Sequence, residues 1–206
     1  MADGTSRKYD TLTDWVRAKG AVLSYPIGRW LQRRGIRPNT ITIAGFLFNI
    51  ISGVVIATGR FPLGAVCVAI ASSVDGLDGA LARVSGKETR FGAFLDSTLD
   101  RLSEAALFLG LLVWLLPQDR YTDSFLVFLT MLGSIMVSYT RARAEGLGYT
   151  CKVGLLTRLE RVAILCVGLL LGWVRVMLVV MTVLSWVTVL QRVFAVYHLS
   201  QGKDGD

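Results

Sequence analysis

The sequence predicts an all-α integral membrane protein: six transmembrane helices preceded by an amphipathic interfacial helix. Three observations carry the prediction. Of the 206 residues 53% are hydrophobic, and the mean hydropathy of +0.54 is unusual for a soluble domain. The apolar residues gather into runs near the length a bilayer requires, separated by short polar loops. The formal charge of +7 is carried largely by the basic N-terminal end and by alternate loops.

Ahead of the first span, Leu12, Trp15, Val16, Val22, Leu23, Ile27, Trp30 and Leu31 recur at helical spacing, interleaved with Arg17, Lys19, Arg29, Arg33 and Arg34. Tryptophan, an apolar face and basic residues in one helix suit the anionic headgroup region, so this segment is expected to lie in the interface, kinked at Pro26. Arg37-Pro38-Asn39-Thr40 reads as an extended turn and N-cap into the first span. Six spans follow, at about 40 to 58, 61 to 83, 91 to 116, 122 to 144, 159 to 174 and 176 to 197. Arg60, Arg120 and Arg175 fall on one side, and the other Lys and Arg lie on the opposite side or in spans leading to it. Cytoplasmic loops collect positive charge, so both termini and the loops after spans two and four are expected in the cytoplasm of a multi-pass cell-membrane protein. The first long apolar run begins only near Ile41, behind polar and basic sequence, so no cleaved signal peptide is expected. The organisation is then a cytoplasmic segment over 1–37, a six-helix domain over 38–199 and a disordered tail over 200–206. Cys67, Cys151 and Cys166 are too few and too scattered for a disulfide framework or a zinc site, which leaves three free thiols.

The second and third spans carry the chemistry. Asp75, Asp78, Asp96 and Asp100 stand in otherwise apolar, helix-like sequence, where each unpaired carboxylate costs roughly 2.5 to 3.5 kcal/mol on insertion scales. The first pair is three residues apart and the second four, so each pair projects from one helical face. Two such helices side by side present four carboxylates to one point. Oxygen ligands at that density suit hard cations, Mg²⁺ or Mn²⁺, and match the charge of two of them. Gly76, Gly79, Ala80, Ala82, Gly92 and Ala93 let the helices approach and admit a bulky ligand against the backbone. Arg83 and Thr89, at the cytosolic end, are candidates to hold a phosphate, although an arginine there can equally snorkel to the interface.

The run Asp75-x2-Asp78-Gly79-x2-Ala82-Arg83-x8-Gly92-x3-Asp96-x3-Asp100 resembles, position for position, the signature of the CDP-alcohol phosphotransferases. That resemblance implies a six-helix membrane fold, a homodimer, and metal-dependent transfer of a phosphatidyl-type group from a CDP-linked lipid to an alcohol, with release of CMP. By the same resemblance Asp75, Asp78 and Asp96 hold a metal pair, and Asp100 completes the site and accepts the hydroxyl proton. Gly79, Arg83 and Thr89 would contact the cytidine diphosphate, with Pro38, Asn39 and Thr40 at the mouth of the first span.

The acceptor is addressed by a second cluster. Arg141, Arg143, Lys152, Arg158 and Arg161 gather at the cytosolic end of spans four and five, and Arg192 lies in apolar sequence where an anion would stabilise it. Ser138-Tyr-Thr-Arg-Ala-Arg-Ala-Glu145 with Arg158-x-x-Arg161 downstream looks like the phosphatidylinositol-phosphate synthase branch of the prokaryotic members. Thr157 and Leu159 depart from that branch, which carries glutamate and proline there. The resemblance implies that Arg141, Arg158, Arg161 and Arg192 bind the phosphate of inositol phosphate. Glycerol 3-phosphate, the acceptor of a phosphatidylglycerophosphate synthase, would use the same arginines. The implied partners are a CDP-diacylglycerol-type lipid, a phosphorylated polyol, membrane lipids and a second copy of the chain, with no nucleic acid. A cation transporter would need polar residues through the outer half of the spans, yet Ile50 to Ile56 and Leu107 to Leu116 are apolar apart from small residues.

Overall fold

A computed structural model of the chain describes residues 26–27, 29–85, 89–151 and 153–201, with the side chains of 76, 78–80 and 82–85 outside the description. Among the described residues six long helices carry the fold: α1 (Pro38–Ala57), α2 (Phe61–Ser85), α3 (Arg90–Leu115), α4 (Tyr121–Gly146), α5 (Arg158–Leu170) and α6 (Val174–Gln201). A 3₁₀ turn over Leu116–Gln118 links α3 to α4, and no strand occurs among the described residues. Residues 29–33 are helical, but most of the expected interfacial helix lies outside the described residues.

Local chemistry sets the boundaries. Arg37 is extended (φ −89°, ψ 146°) and Pro38 opens α1, where its missing N–H has no helical partner to lose, so the helix begins two residues before Thr40. Thr58 and Gly59, the latter at φ 78°, turn the chain directly into α2. The fifth helix corrects the sequence expectation of a span over 159 to 174. It stops at Leu170, because Gly172 takes a left-handed φ of 68° and the Trp173 N–H returns to the Gly168 carbonyl at 2.8 Å, closing the helix end. Its 13 residues rise about 20 Å, short of the ~30 Å apolar core of a bilayer. At the other terminus α6 runs to Gln201, two residues into the expected tail, and 202–206 lie outside the described residues.

Among the described residues three helices, α1, α4 and α6, are long and apolar enough to cross a membrane. Phe61–Asp75 of α2 is a shorter apolar stretch among the described residues, and the first half of α3 carries charge. Short connections make α1 and α2, α3 and α4, and α5 and α6 antiparallel neighbours, whereas α2 and α3 make little direct contact among the described residues, so the four signature carboxylates do not sit on two helices packed side by side. α1 packs on α2 and α3, α2 on α5, and α4 on α3 and α6. The core between them is apolar, with Ile56, Phe108, Leu111, Leu115, Leu169, Leu178 and Met181 buried. At the crossing of α1 and α3 the backbones touch: a Cβ on Gly110 would lie 2.2 Å from the Gly53 carbonyl oxygen. Outward-facing Ile43, Leu47, Ile51, Val54, Val176, Val183 and Val193 stay exposed, as lipid-facing side chains do.

One end of the bundle, made by 58–60, 116–120 and 171–173, is closed by a charged knot. Asp123 at the start of α4 takes Arg120 at 2.6 Å and Arg175 of α6 at 2.6 Å, while Arg120 lies over Trp114, whose ring meets Phe61 edge-on at 4.5 Å. This unites the cations Arg120 and Arg175, which the charge pattern had assigned to one face.

Candidate active site

The other end is built differently. Thr89 caps α3, its hydroxyl accepting the Gly92 N–H at 2.9 Å. From that start Asp96, Asp100 and Glu104 follow at intervals of four and share one face. Asp75, on α2, sits against Gly45 of α1, where a Cβ would stand 2.5 Å from the Asp75 carboxylate oxygen. Only a glycine leaves the carboxylate its place.

Arg158 opens α5 and joins the two acidic helices. One of its guanidinium nitrogens meets Asp75 Oδ2 at 2.5 Å and another meets Asp100 Oδ1 at 2.8 Å. Two signature carboxylates thus converge on one cation. Thr157, which departs from the resembled branch, is the N-cap of α5: its backbone N–H donates to the Glu160 carboxylate at 2.9 Å, and its hydroxyl donates to the same oxygen. One turn on, buried Arg161 is held by Glu104 through paired bonds of 2.8 and 3.1 Å.

Arg192 of α6 is also buried. Its Nε donates to the Val153 carbonyl at 3.0 Å and its Nη1 to the Val137 carbonyl, so carbonyl dipoles orient the guanidinium within the folded chain. The loop supplying Val153 is pinned to the same helix, with the Leu156 N–H donating to the Thr188 hydroxyl at 3.1 Å. Arg141 pairs with Glu145 on the surface of α4 at 2.8 Å.

These groups surround a cavity of about 460 Å³. Its walls bring together Asp96 and Asp100 with Arg141, Arg158, Arg161 and Arg192, and add Glu104, Ser138 and Thr157. All four candidate arginines therefore share a space with half of the signature carboxylates. Asp75 reaches this group through Arg158. At the adjoining N-termini of α1 and α3, a Cβ on Gly92 would lie 3.0 Å from Thr89 Oγ1 and 3.2 Å from Asn39 Oδ1, which places Asn39 and Thr89 side by side. Pro38 and Thr40 occupy the same first turn of α1, where Pro38 also accepts the Thr42 hydroxyl. Asp78, Gly79 and Arg83 lie on α2, with their side chains outside the described residues.

Glu104 and Gly45 were not singled out from sequence. Glu104 had a readable signal, since it extends the four-residue spacing of Asp96 and Asp100 by one turn. Gly45 had none, because its role depends on a helix thirty residues away.

The donor set fits a hard divalent cation. Asp75 and Asp100 come from different helices to one guanidinium, which stands in for a cation, and all donors are oxygens. Among the described residues no three His, Cys, Asp or Glu side chains are placed together to hold a metal ion, and the side chain of Asp78 lies outside the described residues.

Comparison with known proteins decides the family. The model of the CDP-alcohol phosphatidyltransferase family matches residues 36–196. The chain belongs to that family. It is 40% identical over 169 residues to the archaetidylinositol phosphate synthase of Pyrococcus horikoshii, covering 82% of this chain and 87% of that one. It is 37% identical over 191 residues to the phosphatidylinositol phosphate synthase of Mycolicibacterium smegmatis, covering 87% and 86%. The crystal structure of the Mycobacterium tuberculosis phosphatidylinositol phosphate synthase with CDP-DAG bound superposes with a TM-score of 0.80 at 33% identity, covering 84% of this chain and 93% of that one. The same protein in complex with manganese and citrate gives a TM-score of 0.80 at 32% identity, covering 84% and 88%.

Proposed function

We propose that this family member transfers a phosphatidyl-type group from CDP-diacylglycerol, or a related CDP-lipid, to a hydroxyl of inositol phosphate, forming phosphatidylinositol phosphate and CMP. The observation that carries the reading is the one cavity wall shared by Asp96, Asp100 and four arginines, at the end of a fold whose relatives include an archaetidylinositol phosphate synthase and a phosphatidylinositol phosphate synthase. A cavity of that volume accommodates a small phosphorylated polyol.

Asp75, Asp78, Asp96 and Asp100 hold two divalent ions, Mg²⁺ or Mn²⁺. When bound, such ions neutralise the diphosphate, polarise phosphorus and stabilise the leaving group. Pro38, Asn39, Thr40, Gly79, Arg83 and Thr89 hold the CDP portion of the donor. The acceptor oxygen bonds to the phosphorus that carries the lipid, the bond from that phosphorus to the CMP oxygen breaks, and the hydroxyl proton passes to Asp100. A carboxylate is a weak base, so close positioning of the hydroxyl supplies much of the rate.

The arginines divide this work by their charge balance. Arg158 and Arg161 already face carboxylates, and Arg141 has Glu145. Arg192 alone of the four has no carboxylate ion-pair partner among the described residues, so its net charge makes it the principal anchor of the acceptor phosphate.

The domain reading that accompanies this function is a cytoplasmic segment over 1–37 and a six-span catalytic domain over 38–199. The basic loops support a multi-pass protein in the cell membrane with both termini and the site on the cytoplasmic side, and the family resemblance supports a homodimer. Purified protein incubated with CDP-diacylglycerol and Mg²⁺ tests the activity, with inositol phosphate, free inositol, glycerol 3-phosphate and serine supplied separately. Release of CMP is expected with inositol phosphate. No release with any acceptor overturns the enzyme reading, and preference for glycerol 3-phosphate overturns the acceptor.

A further inference from the structure

Arg158 has one guanidinium and two claims upon it. It pairs with Asp75 and Asp100, which the metal reading needs, and it lines the cavity assigned to the acceptor phosphate. We infer that Arg158 is an exchangeable counter-cation: it occupies the Asp75 and Asp100 carboxylates in the metal-free protein, and metal binding releases it to the acceptor's anionic group. The inference rests on the reading of the site given above and adds an order of events to it.

The electrostatics require a cation at this point in either state. Two carboxylates brought together from α2 and α3, largely withdrawn from water, are costly without one. A guanidinium supplies one positive charge through a planar fork, and a divalent ion supplies more charge in less space, so the two compete for the same oxygens.

The placement also lets the exchange occur without moving a helix. Arg158 borders two spaces: an inner pocket with Asn49, Ser72 and Ser103 beneath Asp100, and the larger cavity containing Arg141 and Arg192. Its side chain is 39% exposed, so rotation about its own bonds carries the charge from one space to the other. The backbone does not hold it toward the carboxylates, since a cation at the first position of a helix faces the positive end of the helix dipole. The carboxylates alone do so, and their capture by metal frees it. Arg161 contrasts with this, being buried and bonded through both ends of its fork to Glu104.

Coupling follows in both directions: metal raises affinity for the acceptor's anion, and removal of Arg158 strengthens metal binding. The test uses Mn²⁺ alone as probe, titrated into the purified full chain in detergent without lipid or acceptor, with free Mn²⁺ read by electron paramagnetic resonance. Arg158→Gln is expected to bind Mn²⁺ at least ~10-fold more tightly than the unaltered protein, within the range of couplings between linked sites. Arg141→Gln removes a cation from the same cavity wall without uncovering a signature carboxylate, and is expected to stay within about 2-fold, as screening of an exposed charge implies. Equal affinity in the unaltered protein and Arg158→Gln overturns the exchange while leaving the metal site intact. An equal rise in Arg141→Gln also overturns it, in favour of a diffuse charge effect. Absence of Mn²⁺ binding in all three overturns the metal reading together with the exchange. If Arg158→Gln does not fold, Arg158→Lys keeps the charge but loses the fork, and is expected to fall between the two affinities; an unchanged affinity there overturns the exchange.

Discussion

The two ends of the bundle use the same chemical groups for opposite purposes. At one end Asp123 is completely buried and takes Arg120 and Arg175 on both its oxygens, tying α4 to α6 beside Trp114. At the other, Asp75 and Asp100 share Arg158 with their side chains 12% and 20% exposed, and Asp100 and Arg158 line the 460 Å³ cavity. A fully buried carboxylate with two arginines is a strut. Two carboxylates sharing one arginine beside a cavity are poised to change partners. What separates the two ends is the ratio of charges and the space left next to them.

The sharpest way to break this contrast is to alter one carboxylate at each end. Asp100→Asn keeps the size of the side chain and removes a base and a ligand charge, so CMP release is expected to fall by at least ~100-fold while the protein still folds. Near-normal turnover would remove Asp100 from the chemistry. The acceptor anchor comes next: Arg192→Gln is expected to raise the KM for inositol phosphate by ~10-fold or more, from loss of a charge-assisted contact, with a smaller change in kcat. An unchanged KM would reassign the phosphate to the paired arginines.

Asp123→Asn at the strut is expected to lower the melting temperature by several degrees, because it leaves two arginines facing an uncharged group, while turnover per folded molecule is retained. A loss of turnover matching that of Asp100→Asn would show that the ends are not functionally distinct. The smallest effect is expected for Glu145→Gln, which opens an exposed pair on α4 and should change unfolding stability by less than ~1 kcal/mol.

Much of the site was legible before any coordinates. Carboxylates four residues apart share a helical face, so it was legible from spacing that Asp96 and Asp100 would line one space together. The arginines could be nominated because charge in apolar sequence needs a reason. Their partners could not. Glu104 and Arg161 are 57 residues apart, Asp123 and Arg175 are 52, and Asp75 and Arg158 are 83. Nothing in local periodicity ranks one of these pairings above another. The end of α5 was misjudged for a related reason: Leu169 to Trp173 is apolar by composition, and only the left-handed turn at Gly172 stops the helix.

By itself, then, the sequence determined the apolar helices and the face on which each carboxylate lies, because these follow from hydrophobicity and a period of 3.6 residues, while the family chemistry was legible only through resemblance to a known signature. Tertiary structure decided which cation each carboxylate meets, and so which end of the protein is a strut and which is a site. Coulomb pairing acts between neighbours in space, and neighbours in space are made by helix packing: the Gly53 and Gly110 contact that draws α1 onto α3, and the loop pinned to Thr188 that brings a carbonyl to Arg192.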